Sequence, residues 1–227
     1  MITTRRQFRI VNFHGIGAPA RQLDPGEAEY WISEDRFRNV LDRIAGHGDR
    51  DCLLITFDDG NLSDLSIAAP ELLQRGLVAE FFVLTGRLGT PGSLAAGDVR
   101  LLTHMGMRIG SHGISHRDWT SLPAGELDDE LRESKEVLEA ISRGPIRSAA
   151  IPFGRYNASV LATLRRAGYE SAYSTDGGSM GTTGFLRPRT SIRHDTDDAA
   201  LERILSGRMP AWNRLRRAAA MTIKAWA

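Results

Sequence analysis

A single cysteine among 227 residues rules out an internal disulfide framework. Its place in the apolar run Cys52-Leu53-Leu54-Ile55 marks it as a buried core thiol. No stretch approaches the roughly 20 apolar residues that a membrane span requires. The segment from Met1 to Val11 carries Arg5 and Arg6 but no apolar region of the length a secretory signal needs, so the sequence reads as cytoplasmic. Charge of one sign is also missing: a formal net charge of +1 offers no general electrostatic case for nucleic acid. There is no internal repeat, low-complexity tract or Pro/Gly/Ser linker to divide the chain. With 41% hydrophobic and 25% charged residues, what is left is the composition of a soluble globular domain, at a length a single α/β barrel routinely reaches.

Short apolar runs alternate with amphipathic segments from end to end. Strands are expected at 8–13, 52–57, 77–84, 107–111, 146–151, 169–174 and 185–193. Between them, Ser33 caps a helix that aligns Phe37, Val40, Leu41 and Ile44, and Asn157 caps one that aligns Val160, Leu161 and Leu164 before Gly168. The longest helix, over 123–143, opens at Pro123, buries Leu127, Leu131, Leu138 and Ile141, and ends at Gly144-Pro145. Such alternation predicts one α/β domain with a parallel sheet, open or closed into a barrel, and a core over about 8–207. Residues 208–227 mix basic and aromatic side chains and read as a docking helix or tail rather than as a segment lying on an anionic membrane.

In a parallel barrel the C-terminal strand ends gather on one face and carry the chemistry. Here the expected strands lead into Asn12-Phe13-His14-Gly15, Asp58-Asp59, Ser111-His112, Pro152-Phe153-Gly154-Arg155, Ser174-Thr175-Asp176 and Arg193-His194-Asp195. The adjacent acids Asp58 and Asp59 repel each other and resist desolvation unless a cation or hydrogen-bond donors compensate. His112 and His116, with three residues between them, are able to converge on one ion. Asp59, His112 and His116 together offer one hard oxygen and two imidazoles, a set suited to zinc, or to cobalt or nickel, with a coordination position left open for water. Asp58, free of the metal, is then positioned to take a proton as water attacks. If an amide is cleaved the leaving nitrogen needs a proton, and His194 is the candidate acid, with His14 also expected in the site. His47 and His104 lie in or just after helical patterns and receive no role.

Asp58-Asp59 within Thr-Phe-Asp-Asp-Gly, and His112 with His116 within Ser-His-Gly-Ile-Ser-His, resemble the first two motifs of the polysaccharide deacetylases, carbohydrate esterase family 4. Pro152-Phe153-Gly154-Arg155-Tyr156-Asn157 resembles the third motif in its bacterial exopolysaccharide deacetylase form, and Phe13-His14-Gly15 resembles the element that often opens such chains. The likeness spans residues 8–194. It implies a distorted, incomplete (β/α)7 barrel, with the first Asp as base and the second Asp and both His as metal ligands. It also implies an N-acetylated sugar, oligosaccharide or lipid-linked glycan as substrate. Where the family's third motif places an arginine before the proline, this chain has Ala149-Ala150-Ile151, so Arg155 or another basic group orients Asp58, or Asp58 is held differently. Asp176 stands in for the fourth motif, and Ser191-Ile192-Arg193-His194 approximates the last. Two rivals share these residues: a C–N hydrolase of small cyclic amides or ureides on the same fold, and a catalytically silent sugar-binding module.

Overall fold

Alternation along each strand sends neighbouring side chains to opposite sides of the backbone, and here both sides are packed. In the computed structural model, which describes residues 7–181 and 184–226, six parallel strands lie side by side. They are β1 (Phe8–Phe13), β2 (Leu53–Phe57), β3 (Ala79–Val83), β4 (Arg108–Ser111), β5 (Ser148–Ala150) and β6 (Ser171–Ser174). Val11, Phe13, Ile55, Phe57, Phe81 and Val83 belong to the main core, shared with the helices. Within it Phe13, Phe57 and Phe81 stack across adjacent strands, with ring centroids 5.2 and 4.6 Å apart. The alternate residues Ile10, Phe82, Ala150 and Tyr173 make a second, smaller core inside the curve of the sheet.

The helices outside are α1 (Glu34–Ala45), α2 (Ala69–Gln74), α3 (Ala96–His104), α4 (Ala124–Ser142), α5 (Ala158–Arg166), α6 (Asp198–Ser206) and α7 (Ala211–Trp226). Ser33 accepts from the Arg36 amide at the start of α1, and Asn157 accepts from the Val160 amide at the start of α5, caps worth about 1 kcal/mol each. Leu127, Leu131 and Leu138 of α4 are buried as expected, Ile141 only in part, and the same stripe takes in Glu130 and Ser134. That helix ends on Arg143 in the left-handed region (φ 56°), one residue before the glycine expected to do so. Cys52 is buried and unpaired.

The run expected as one strand over 185–193 is two. A strand has two hydrogen-bonding edges, and this segment uses them in succession: β7 (Leu186–Pro188) pairs with β6, then β8 (Thr190–Ser191) pairs with β1. The sheet order is therefore β7-β6-β5-β4-β3-β2-β1-β8, so one short stretch of chain bridges both edges and nearly closes the barrel, with Arg189 at the join. The result is the incomplete (β/α)7 barrel implied by the motifs. The pair Ser179–Met180 adds an antiparallel contact to Phe8 and Arg9. Among the described residues no helix is long and apolar enough to cross a membrane.

Candidate functional site

The exits of β2 and β4 bring Asp59, His112 and His116 together, with their ligand atoms all within 4.8 Å of one another. Asp59 Oδ1 lies 3.5 Å from His112 Nε2 and 3.6 Å from His116 Nε2, and it is buried with no hydrogen-bond partner. His112 Nδ1 is 2.9 Å from the Ala150 carbonyl. Donation there fixes the tautomer and leaves the Nε2 lone pair facing Asp59. Burial, ahead of the neighbouring charges, lowers the pKa of His116 and favours the neutral form that ligates. Asp59 (φ 76°) and His116 (φ 54°) both hold left-handed backbone, a cost that side chains of this kind accept where the surroundings fix them. An orphaned carboxylate oxygen facing two imidazoles fits a divalent cation in this position.

Asp58, 2% exposed, is held by a full set of donors. Arg189 Nη1 and Nη2 reach its two oxygens at 2.6 and 2.8 Å, and Asn12 Nδ2 donates to Oδ2 at 3.0 Å. Thr56 Oγ1 and Arg189 Nη1 in turn donate to Asn12 Oδ1 at 2.7 and 2.9 Å, which orients the amide. Burial alone would raise the Asp58 carboxyl, but the Arg189 charge, followed by His112 and His14, outweighs it and holds the group well below the usual carboxylate range. Arg189 is fully buried, its guanidinium carbon 5.2 Å from the Phe82 ring centroid and 5.7 Å from that of Tyr173.

His14 joins this cluster. Its Nε2 is 3.9 Å from Asp58 Oδ2, and its ring packs on Tyr30 at 4.7 Å. His194 does not: the ring is exposed, with Nδ1 3.0 Å from the Glu29 carbonyl. Pro152 and Gly154 are buried, and a Cβ on Gly154 would lie 2.0 Å from Thr175 Oγ1. Phe153 (φ 56°) stands 55% exposed with its ring 4.7 Å from that of His116. Arg155 points away from Asp58 and bonds Asp118 at 2.9 Å, so it is not the replacement for the missing third-motif arginine. Asp176 accepts from Tyr156, Ser174 and Lys224, which makes it an anchor for α7.

Three contributors were not singled out from the sequence. For Arg189 the one local signal is its alternation with Arg187 in the segment 185–192, a spacing that puts both on one side of an extended chain but names no partner. Glu130 lies beside Leu127 and Leu131 on the buried stripe of α4, an odd place for an acid. Its carboxylate accepts from the Ile114 and Ser115 amides, each at 2.8 Å, and so clamps the loop carrying both histidines. A Cβ on Gly113 in that loop would come within 2.8 Å of the same carboxylate.

The third is Asp64, fully buried in a π-helical turn (Asp64–Ala68) with neither carboxylate oxygen hydrogen-bonded. Burial first, then the charges of Asp59 and Asp58, raises its pKa well above the usual range. The folded chain therefore keeps a proton that the unfolded chain releases near pH 4, and stability falls as pH rises from there toward the folded pKa. Asp64→Asn removes that dependence. In metal-free protein the variant is expected to lose less urea resistance than wild type between pH 5 and pH 8; equal losses would mean that Asp64 is ionised in the fold.

The family model for polysaccharide deacetylase matches residues 45–172, more than half of the chain. The Bacillus subtilis (strain 168) protein YxkH is 26% identical over 157 residues, which cover 69% of this chain and 53% of YxkH; the chain thus spans about half the length of that relative. Among solved structures, the Streptococcus pyogenes deacetylase PplD superposes with a TM-score of 0.78 at 21% identity, over 89% of this chain and 99% of that one. IcaB from Ammonifex degensii gives 0.73 at 17% identity, over 89% and 97%. At these identities the structural likeness is one of fold. The family match contains Asp58, Asp59, His112 and His116, the residues whose geometry was built up above, and on that match the chain belongs to the polysaccharide deacetylase family.

Proposed function

We propose that this chain is a metal-dependent hydrolase that removes acetyl groups from N-acetylhexosamine units of a glycan or glycan precursor. The observation that carries the reading is the pairing of two buried acids in different settings. Asp58 is saturated with donors, while Asp59 keeps a bare oxygen toward two imidazoles. Zinc, with cobalt and nickel as alternatives, fits the Asp59, His112 and His116 donor set. A cation held there supplies Lewis-acid polarisation of the acetyl carbonyl and acidifies the attacking water. Asp58, kept ionised by Arg189, accepts the proton of that water. Asn12 and Arg189 fix its plane, so it needs no reorientation during the reaction.

The leaving amine must be protonated, and for this we propose His14 Nε2 in place of His194. His14 lies against Asp58, whereas His194 is bonded to a backbone carbonyl at the surface. His14→Ala is expected to damage amide cleavage far more than cleavage of an activated aryl acetate, whose phenolate leaves unprotonated. His194→Ala is expected to leave the ratio of the two rates near wild type. A selective amide defect in His194→Ala would return the acid role to that residue.

The test of the activity itself is acetate release over acetylated sugars from monosaccharide to polymer, with zinc, cobalt and nickel each added to apo-protein. Release from acetylated chito-oligosaccharide is expected. Turnover of small cyclic amides or ureides instead, or sugar binding without acetate release in the presence of each metal, overturns it.

A further inference from the structure

The C-terminal helix has two faces with different tasks. Arg217 bonds the Gly177 and Ser179 carbonyls, Lys224 Nζ sits 2.7 Å from Asp176 and 5.4 Å from the Tyr156 ring centroid, and Ala225 packs on the main core. These contacts dock one face of α7 beside the loop that leaves β6, on the catalytic end of the barrel. The opposite face carries Trp212, Leu215, Ala219, Ile223 and Trp226, spaced by three and four residues and so aligned along one side of the helix. Trp212, Leu215, Ile223 and Trp226 are 68%, 66%, 69% and 84% exposed, above every other exposed large apolar residue described. Soluble surfaces seldom line up such residues without a partner.

Charge selects the partner. Helix α7 contains Arg214, Arg216, Arg217 and Lys224 and no acidic residue. Two copies packed stripe to stripe would bring together the undocked cations Arg214 and Arg216 of each, four in all with no acid between them, which disfavours self-pairing. A tryptophan at each end, an apolar stripe between them and cations beside it match the membrane–water interface, where indole rings settle at headgroup level and basic residues meet anionic lipid. The helix is too short and too polar to span, at about 24 Å for 16 residues. The geometry points to α7 as a monotopic foot that lies on an anionic bilayer, with the mouth of the barrel beside the lipid surface. This stands independently of the acetyl-transfer chemistry.

The experiment is co-sedimentation of the full chain with vesicles of phosphatidylcholine alone or mixed in equal parts with phosphatidylglycerol. Binding is expected on the mixed vesicles only, weakened by salt. A blue shift of tryptophan emission should accompany it, because Trp31 and Trp119 are already buried and the change reports Trp212 and Trp226. Trp212→Ser with Ile223→Ser, both at exposed positions, should lower vesicle affinity by about tenfold or more without moving the thermal transition. Leu215→Ser with Trp226→Ser repeats the test at the other exposed sites of the stripe. Absence of sedimentation with mixed vesicles, binding unaffected by both double variants, or a dimer dispersed by them without vesicle binding would each overturn the inference.

Discussion

Arg189→Ala is expected to cost about 3–5 kcal/mol of stability, because removing one partner of a buried ion pair leaves the other charge uncompensated. Urea unfolding at neutral pH measures it. The same substitution should cut acetate release by about 10- to 100-fold, the usual penalty for losing a residue that orients a catalytic group. Adding Asp58→Asn to Arg189→Ala should recover part of the lost stability and none of the activity, since the buried charge is then gone but so is the base. Arg155→Ala, whose side chain reaches only Asp118 and the Phe153 ring, should fold as wild type. If Arg189→Ala were as stable as wild type, the pair would be contributing nothing to the fold.

The second large effect is expected at the cation. His112→Ala and His116→Ala each remove one of three ligands, and both cation binding and turnover should be lost to the limit of detection. Asp58→Asn should separate the two, retaining the cation while the rate falls by about two orders of magnitude or more. Metal content by mass spectrometry of the folded variants, beside acetate release, is the measurement. Full occupancy in the His112→Ala, His116→Ala double variant would remove both histidines from the ligand set, and loss of metal in Asp58→Asn would exchange the roles assigned to Asp58 and Asp59.

The two acids and two histidines were legible because local chemistry betrays them: ionisable groups at the ends of apolar strands have no packing purpose. The parallel sheet followed from the alternation of strand and helix, while the incomplete barrel was implied only by the resemblance to the family. What escaped was set by long-range pairing. Arg189 meets Asp58 across 131 residues of sequence, and Asn12 meets Asp58 across 46. No spacing rule spans such distances, so the sequence leaves Arg155, another basic group or a different hold on Asp58 open, and the fold gives the place to Arg189 while Arg155 bonds Asp118. His194 was favoured over His14 by its place after the last strand. Strand ends are not equivalent, however: the backbone from Thr190 follows β1 and then hydrogen-bonds to Glu29, where the His194 ring stands exposed. Glu130 was hidden by a different effect: a helical stripe read by hydrophobicity passes over a polar residue whose partners are the backbone amides of a distant loop.

The seam at Arg189 also sets the order in which the proposed active site comes together. A chain ending near residue 185 already contains Asp58 and the Asp59, His112 and His116 cluster, yet it lacks the guanidinium that keeps Asp58 charged and in plane, together with the segment that joins the two sheet edges. During synthesis from the N-terminus, the residues of the proposed cation site would therefore all be present before Arg189 is available to hold Asp58. Under the proposed function, competence for hydrolysis would arrive with barrel closure, because Arg189 completes both. Until then the edge of β6, and that of β1 at Val11 and Asn12, stay unpaired, so the nascent domain would be without its oriented acid and most open to misassociation at the same moment.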